Sequence, residues 1–166
     1  MLSVVAKLFG RVLIKRVRAG SEYAIGEEQC GFIQGRGCMD QVFAVRQVCE
    51  KYLANGKDVF CAFMDLEKAY DTIDRHGVWQ MLIVYGVGGK LMKAVQSFYI
   101  DSRVCVRVGN VVNEWFPVNV GLRQGCVMFP WLFNVYVDGV VREVNVRVLE
   151  NGLELLSENV GTSEIN

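Results

Sequence analysis

The sequence predicts an α+β domain in which helices pack on a small, mostly antiparallel sheet. Three observations predict it. Apolar residues recur at helical spacing near the N-terminus, in two central segments and along a long stretch after Pro130. Val59–Met64 is a continuous apolar run, the pattern of a strand covered on both faces. The runs RVCVRV and VVNEWF flank Gly109-Asn110, a hairpin signal. No internal repeat or linker-like stretch divides the chain, so one domain is expected.

The first element, within VVAKLFGRVLIKRV, reads as an amphipathic helix. Val4, Val5, Leu8, Val12 and Leu13 form an apolar stripe opposite Lys7, Arg11, Lys15 and Arg18. That cationic face is either a solvated surface or a face that tracks phosphates. The basic N-terminus also has the composition of a mitochondrial presequence, although basic residues interrupt any signal-peptide core. Gly20–Gly37 is glycine-rich and polar, an irregular connection. A second helix is expected over 40–54, capped by Asp40, with Val42, Val45, Val48, Cys49 and Tyr52 on one side and Asn55-Gly56 ending it. The strand Val59–Met64 follows. Asp74 caps a third helix that runs to about Tyr85, where Gly86, Gly88 and Gly89 break it. Lys90–Tyr99 is a fourth helix, followed by the hairpin and a glycine-bounded irregular segment, Val118–Gly125. The helix from Pro130 carries Phe133, Val137, Val140, Val144 and Val148 on one face, and the tail after Gly152 is weakly patterned.

Composition narrows the function classes. The chain has 166 residues, of which 52% are hydrophobic, enough for a packed core. Eighteen basic residues balance eighteen acidic ones, so bulk charge gives no support for a nucleic-acid partner and any such reading rests on local charge. No apolar run reaches the roughly eighteen residues of a membrane span. Six cysteines without a C-x-x-C pair, beside a single histidine, argue against zinc. They read as reduced thiols in an intracellular protein, with Cys61 buried in its apolar run.

The residues that carry chemistry begin at the end of the expected strand, Phe63-Met-Asp65-Leu-Glu-Lys68-Ala-Tyr70-Asp71. A carboxylate closing a buried strand must be paired, hydrated or metal-bound. Asp65 is therefore a candidate metal ligand, or else a helix cap or the partner of Lys68 or an arginine. The stretch D-L-x-K-A-Y-D resembles the first catalytic palm motif of reverse transcriptases of LINE-type retrotransposons, those without long terminal repeats. Further segments agree in order. VVAKLFGRVLIKRV is similar to the family's first fingers helix. Gln29-Cys-Gly31-Phe-Ile-Gln-Gly35-Arg36-Gly37-Cys-Met-Asp40-Gln41 resembles its fingers signature. Gly121-Leu-Arg123-Gln124-Gly125, continuing to Pro130-Trp-Leu-Phe-Asn134, resembles its second palm motif.

The resemblance implies the fingers and a partial palm of a right-hand polymerase, with fingers over about 1–57, palm over about 58–150 and a tail over 151–166. It implies attack of a primer 3′-hydroxyl on a nucleotide α-phosphate with two Mg²⁺ ions. The implied partners are an RNA template, a DNA primer and a deoxynucleoside triphosphate. By position, Asp65 is the shared metal ligand and catalytic carboxylate, and the Leu66 carbonyl is a second oxygen. Tyr70 is the aromatic wall of the nucleotide pocket, or an ordinary core tyrosine. Gln124 and Gly125 line that pocket. Arg36 contacts triphosphate or template, or is a solvated loop arginine. Lys7, Arg11, Lys15 and Arg18 are the candidate nucleic-acid contacts.

Two departures bear on function. The family's third palm motif carries two adjacent aspartates, and no such pair occurs in the 166 residues. The expectation is a truncation before that motif and an inactive remnant; the alternative is a non-catalytic RNA-binding protein. The missing strand would leave Val59–Met64 with an unpaired edge and the chain poorly soluble. The second departure is Phe129, where the family has a serine. Read as the cap of the helix that Pro130 begins, phenylalanine would cost about 1 kcal/mol.

Overall fold

The computed structural model describes residues 3–123 and 125–150. The tail call over 151–166 and the call on Gln124 lie outside the described residues. The elements are α1 (Val4–Ser21), α2 (Cys38–Ala54), α3 (Ala69–Thr72), α4 (Arg75–Val84), α5 (Gly89–Ser97), β1 (Arg103–Val104), β2 (Arg107–Val108), β3 (Val111–Val112), β4 (Phe116–Pro117) and α6 (Phe129–Glu150).

The core lies between helices. α4 packs on α6 and α5, and α5 packs on α1. Each of these four helices contributes a line of residues at helical spacing: Leu13 and Val17 from α1, Val78 and Leu82 from α4, Met92 and Val95 from α5, Trp131, Leu132 and Val135 from α6. Gly10 faces Phe98, which follows α5, and Phe98 stacks on Phe9.

Local chemistry sets the helix ends. Ser3 accepts from the Ala6 amide at α1, and Asp74 accepts from the His76 and Gly77 amides at α4, as its position before the apolar run predicts. α4 stops in a Schellman turn. The Val87 amide donates to Leu82 at 2.8 Å and the Gly86 amide to Ile83 at 3.0 Å, with Gly86 at φ +84°. Asp40, by contrast, is not the α2 cap. Gly37 holds that position, and Asp40, one turn in, accepts from the Gly37 amide at 3.3 Å.

The hairpin forms with its turn at Gly109-Asn110, pairing Val108 with Val111, and β1 pairs with β4 antiparallel. The strands are two residues each and exposed, in two separate ladders. The α+β content and antiparallel pairing are those expected. The helices, however, pack on one another and not on a sheet, because ladders this small offer no apolar face.

Three expected faces are corrected. In α1 only Leu13 of the five-residue stripe is buried; the line Gly10, Leu13, Val17, Ser21 faces inward, and Val4, Val5, Leu8 and Val12 are exposed. In α6 the inward line is Trp131, Leu132, Asn134, Val135 and Asp138, while Val140 and Val144 of the valine stripe are exposed. In α2 no residue is buried, and Val42 and Val45 face solvent.

The largest correction concerns Val59–Met64. The segment forms no strand, and Phe60 and Phe63 are 94% and 90% exposed, with Cys61 exposed beside them. A strand exists only by pairing, and no described segment supplies the second row of hydrogen bonds. Solvent-facing phenylalanines in an unpaired extended run favour self-association. Dynamic light scattering of the purified chain should therefore show aggregates, and a Phe60→Ser/Phe63→Ser variant should scatter less at equal concentration. Its stability should change by less than about 0.5 kcal/mol, because both rings are already in water. A monodisperse parent chain would contradict this expectation.

Candidate functional site

The two segments that resemble palm motifs meet in space. The Leu122 amide donates to the Tyr70 carbonyl and the Gly121 amide to the Ile73 carbonyl, both at 2.9 Å. Gly121 sits at φ +74°, and a Cβ there would lie 2.5 Å from the Asp71 carbonyl oxygen. Only a glycine lets the two backbones approach this closely. Arg75 closes the junction from the first turn of α4, donating Nε to the Gly121 carbonyl at 2.7 Å and Nη2 to the Val120 carbonyl at 3.1 Å. Its guanidinium also lies 5.2 Å from the centre of the Tyr99 ring. Burial pulls the Arg75 pKa below its usual value; the charge on Tyr99 opposes that shift, and Arg123 adds to it.

Tyr70 stands above this junction. Its ring packs 4.8 Å from Phe129 and 4.5 Å from Phe133, on the first turns of α6, and its own edge is open to solvent. It is neither a closed core tyrosine nor an isolated surface residue. Phe129 takes part in this cluster and is not a failed cap. The Leu132 amide bonds to the Met128 carbonyl at 3.1 Å, so Met128 holds the cap position and Phe129 is the first helical residue. The capping penalty expected at Phe129 therefore does not arise. Gly125 is exposed at φ +77°, with nothing within 4 Å of a Cβ placed there.

Asp65 and Leu66 lie just before α3, both exposed. Asp65 makes no ion pair among the described residues, and Lys68 approaches Glu67 at 3.8 Å instead. Without a covered strand beneath it, Asp65 does not close a buried edge. Among the described residues no group of three or more His, Cys, Asp or Glu side chains could hold a metal ion. One exposed carboxylate and a neighbouring carbonyl do not make up a two-metal clamp, which needs further carboxylates, so the residues present do not fit the implied Mg²⁺ pair.

Two of the candidate arginines also make contacts within the protein. Arg36 donates Nη1 to the Gly26 carbonyl at 2.5 Å and to the Gln29 carbonyl at 2.9 Å, so it clasps its own loop. Arg18 donates to the Phe32 carbonyl at 2.9 Å and lies over the Trp131 ring at 4.6 Å, tying α1 to the same loop and to α6. Each guanidinium thus serves carbonyls of this loop, a structural role that the sequence reading did not assign to it. Lys7, Arg11 and Lys15 are exposed along α1.

Sequence reasoning missed what holds this loop. Asn134, Asp138 and Arg142 recur one turn apart on α6 and meet residues 24–31. Asn134, 1% exposed, donates to the Gly31 carbonyl at 2.5 Å and accepts from Gln29 at 3.1 Å. Asp138, 5% exposed, accepts from the Gly26 amide at 2.9 Å, from the Tyr85 hydroxyl and from Arg142 at 2.9 Å. Arg142 donates onward to the Ala24 carbonyl at 2.5 Å. The spacing of polar residues within an apolar helix was the available signal.

A groove of about 750 Å³ opens beside the junction, between β1 and residues 118–123. Arg75, Arg103, Arg123, Asp71, Asp101 and Trp115 are among the residues that line it.

Comparison with known proteins gives the family. The family described as "Reverse transcriptase (RNA-dependent DNA polymerase)" matches residues 1–159. The chain is 24% identical over 160 residues to the Pol polyprotein of the type-1 retrotransposable element R2 of Nasonia vitripennis, covering 96% of this chain and 15% of that protein. It is 24% identical over 140 residues to the Pol polyprotein of the type-2 element R2DM of Drosophila melanogaster, covering 84% of this chain and 13% of that protein. Over 144 residues it is 24% identical to the RNA-directed DNA polymerase from the mobile element jockey of Drosophila melanogaster, covering 83% of this chain and 15% of that protein. The chain thus spans about 15% or less of the length of these relatives. With the family matched across nearly its whole length, the chain belongs to the reverse transcriptases, in the branch carried by retrotransposons without long terminal repeats.

Proposed function

We propose that the chain carries the template- and nucleotide-positioning part of an RNA-directed DNA polymerase, and that these 166 residues do not polymerise by themselves. The observation that carries the reading is the junction of residues 70–73 with 121–122, capped by the cluster of Tyr70, Phe129 and Phe133. It brings an aromatic wall and the glycine-bounded segment before Gln124 to one place, which is what orienting a nucleotide requires. On this reading residues 1–57 act as fingers and 58–150 as part of a palm. Tyr70 and Gly125, with Gln124, border the incoming nucleotide, and Asp65 is the one catalytic carboxylate present. The partners are an RNA template, a DNA primer and a deoxynucleoside triphosphate, met inside the cell.

Inactivity of the isolated chain follows from the donor set. The sequence holds no adjacent aspartate pair, and loss of even one well-placed electrostatic group costs roughly a hundredfold or more in rate. Primer extension on an RNA template with Mg²⁺ should yield no product above background. Product that disappears in an Asp65→Asn variant would overturn the inactivity.

A second reading, non-catalytic RNA binding, is favoured by one observation: Lys7, Arg11 and Lys15 are exposed on one face of α1, free of the pairing that occupies Arg18. RNA binding that weakens with salt and drops in a Lys7→Ala/Arg11→Ala/Lys15→Ala variant would support it.

A further inference from the structure

We propose that the groove between β1 and residues 118–123 holds one nucleotide of a single-stranded nucleic acid, with its base on Trp115 and its flanking phosphates on Arg103 and Arg123. The inference rests on the nucleic-acid reading above and assigns that partner a place on the chain.

Three features carry it. The groove, about 750 Å³, lies within the range of roughly 300–1,000 Å³ that small-ligand sites occupy. Trp115 lines the groove and is 64% exposed, with no stacking partner among the described residues, whereas Trp131 is 1% exposed in the core. An exposed indole beside arginines is the combination on which single strands stack, because every base has a flat face and every linkage a charge. The arginines also retain donors. Arg123 gives Nη2 to the Ser102 hydroxyl at 2.7 Å, and Arg103 gives Nε to Asp101 at 3.0 Å. A guanidinium carries more N–H groups than these contacts use, arranged to meet phosphate oxygens. Arg75 is committed to the Gly121 and Val120 carbonyls and forms the wall. Asp71 and Asp101 also line the groove, so three arginines face two carboxylates and the balance favours an anion.

The test uses the full chain with oligouridylate and oligodeoxyuridylate, which differ only in the sugar, read by tryptophan fluorescence and by anisotropy of labelled strands. Both strands should quench the fluorescence; a stronger response to one tells whether ribose or deoxyribose is preferred. Trp115→Ala should remove the quench and weaken binding roughly tenfold, and Trp115→Phe should restore most of the affinity. Arg103→Ala should weaken binding and flatten its salt dependence, whereas Arg123→Lys, which keeps the charge and loses the planar fork, should weaken binding with the salt dependence unchanged. Circular dichroism should match the parent in the Trp115 and Arg103 variants, since both side chains are exposed. Binding unchanged by Trp115→Ala, yet lost on removing the α1 charges, would overturn the groove while leaving the nucleic-acid reading in place. Failure of the parent chain to bind either strand would overturn the nucleic-acid reading itself.

Discussion

Replacing Gly121 with alanine will destabilise the chain by about 3 kcal/mol and separate the two halves of the candidate site. The cost has two parts. A left-handed backbone at φ +74° disfavours any side chain, by about 1 kcal/mol. The larger part is collision: a Cβ would lie 2.5 Å from the Asp71 carbonyl oxygen, 2.8 Å from its carbon and 2.9 Å from its Cα. Those atoms are backbone and cannot rotate away. The segments must part, and the hydrogen bonds from Gly121 to Ile73 and from Leu122 to Tyr70 break, at about 1 kcal/mol each. The melting temperature should fall by roughly 10 °C. Gly125→Ala is the matched control. Its φ is +77° but nothing lies within 4 Å, so only the conformational term of about 1 kcal/mol applies. Equal melting temperatures for the two variants would show that the close approach at Gly121 does not hold the site together.

The same junction shows what the sequence could and could not disclose. Asp74 before an apolar run names a helix start because capping is local, and Gly86 names its end for the same reason. The meeting of Tyr70 with Leu122 is not local. Nothing in either segment's periodicity points to the other, and only the likeness of both to motifs of one family predicted their proximity. Buried faces failed where polar residues point inward. Ranking α6 by hydropathy selects its valines, yet Val140 and Val144 are exposed while Asn134 and Asp138 are buried, because the irregular loop 24–31 needs side-chain partners for its backbone. Arg36 and Arg18 show a related limit: an arginine's charge is visible in a sequence, but the loop carbonyls that each of them also serves are not. Val59–Met64 failed as a strand because apolar patterning states a preference, and pairing requires a neighbour.

Asp138 is where that inward polarity has its largest consequence, and Asp138→Ala should cost about 3 kcal/mol. The carboxylate accepts from the Gly26 amide, the Tyr85 hydroxyl and Arg142, so its removal strands the buried Tyr85 hydroxyl and the half-buried Gly26 amide. Arg142 adds little to the cost, because its side chain is 56% exposed and regains water. Asp138→Asn keeps the size but puts an N–H₂ group where a donor already points, and should recover only part of the loss. Both variants should loosen the loop first, seen as faster amide exchange at residues 24–31. The network also makes a pH prediction. Burial, then the hydrogen bond to Asp138 and its charge, raise the Tyr85 pKa well above its usual value, with Arg142 opposing. Burial chiefly raises Tyr99 as well. A phenol whose pKa is raised by folding contributes its full share of stability below the unfolded value, near about 10. That share is lost as pH climbs further, because the unfolded chain ionises first. Stability measured by urea titration should therefore decline above about pH 10, and less steeply in Tyr85→Phe, which has one fewer phenol to ionise. An unchanged alkaline slope in Tyr85→Phe would mean that Tyr85 is as free to ionise in the folded chain as in the unfolded one, and the Asp138 network would lose its claim to hold the loop.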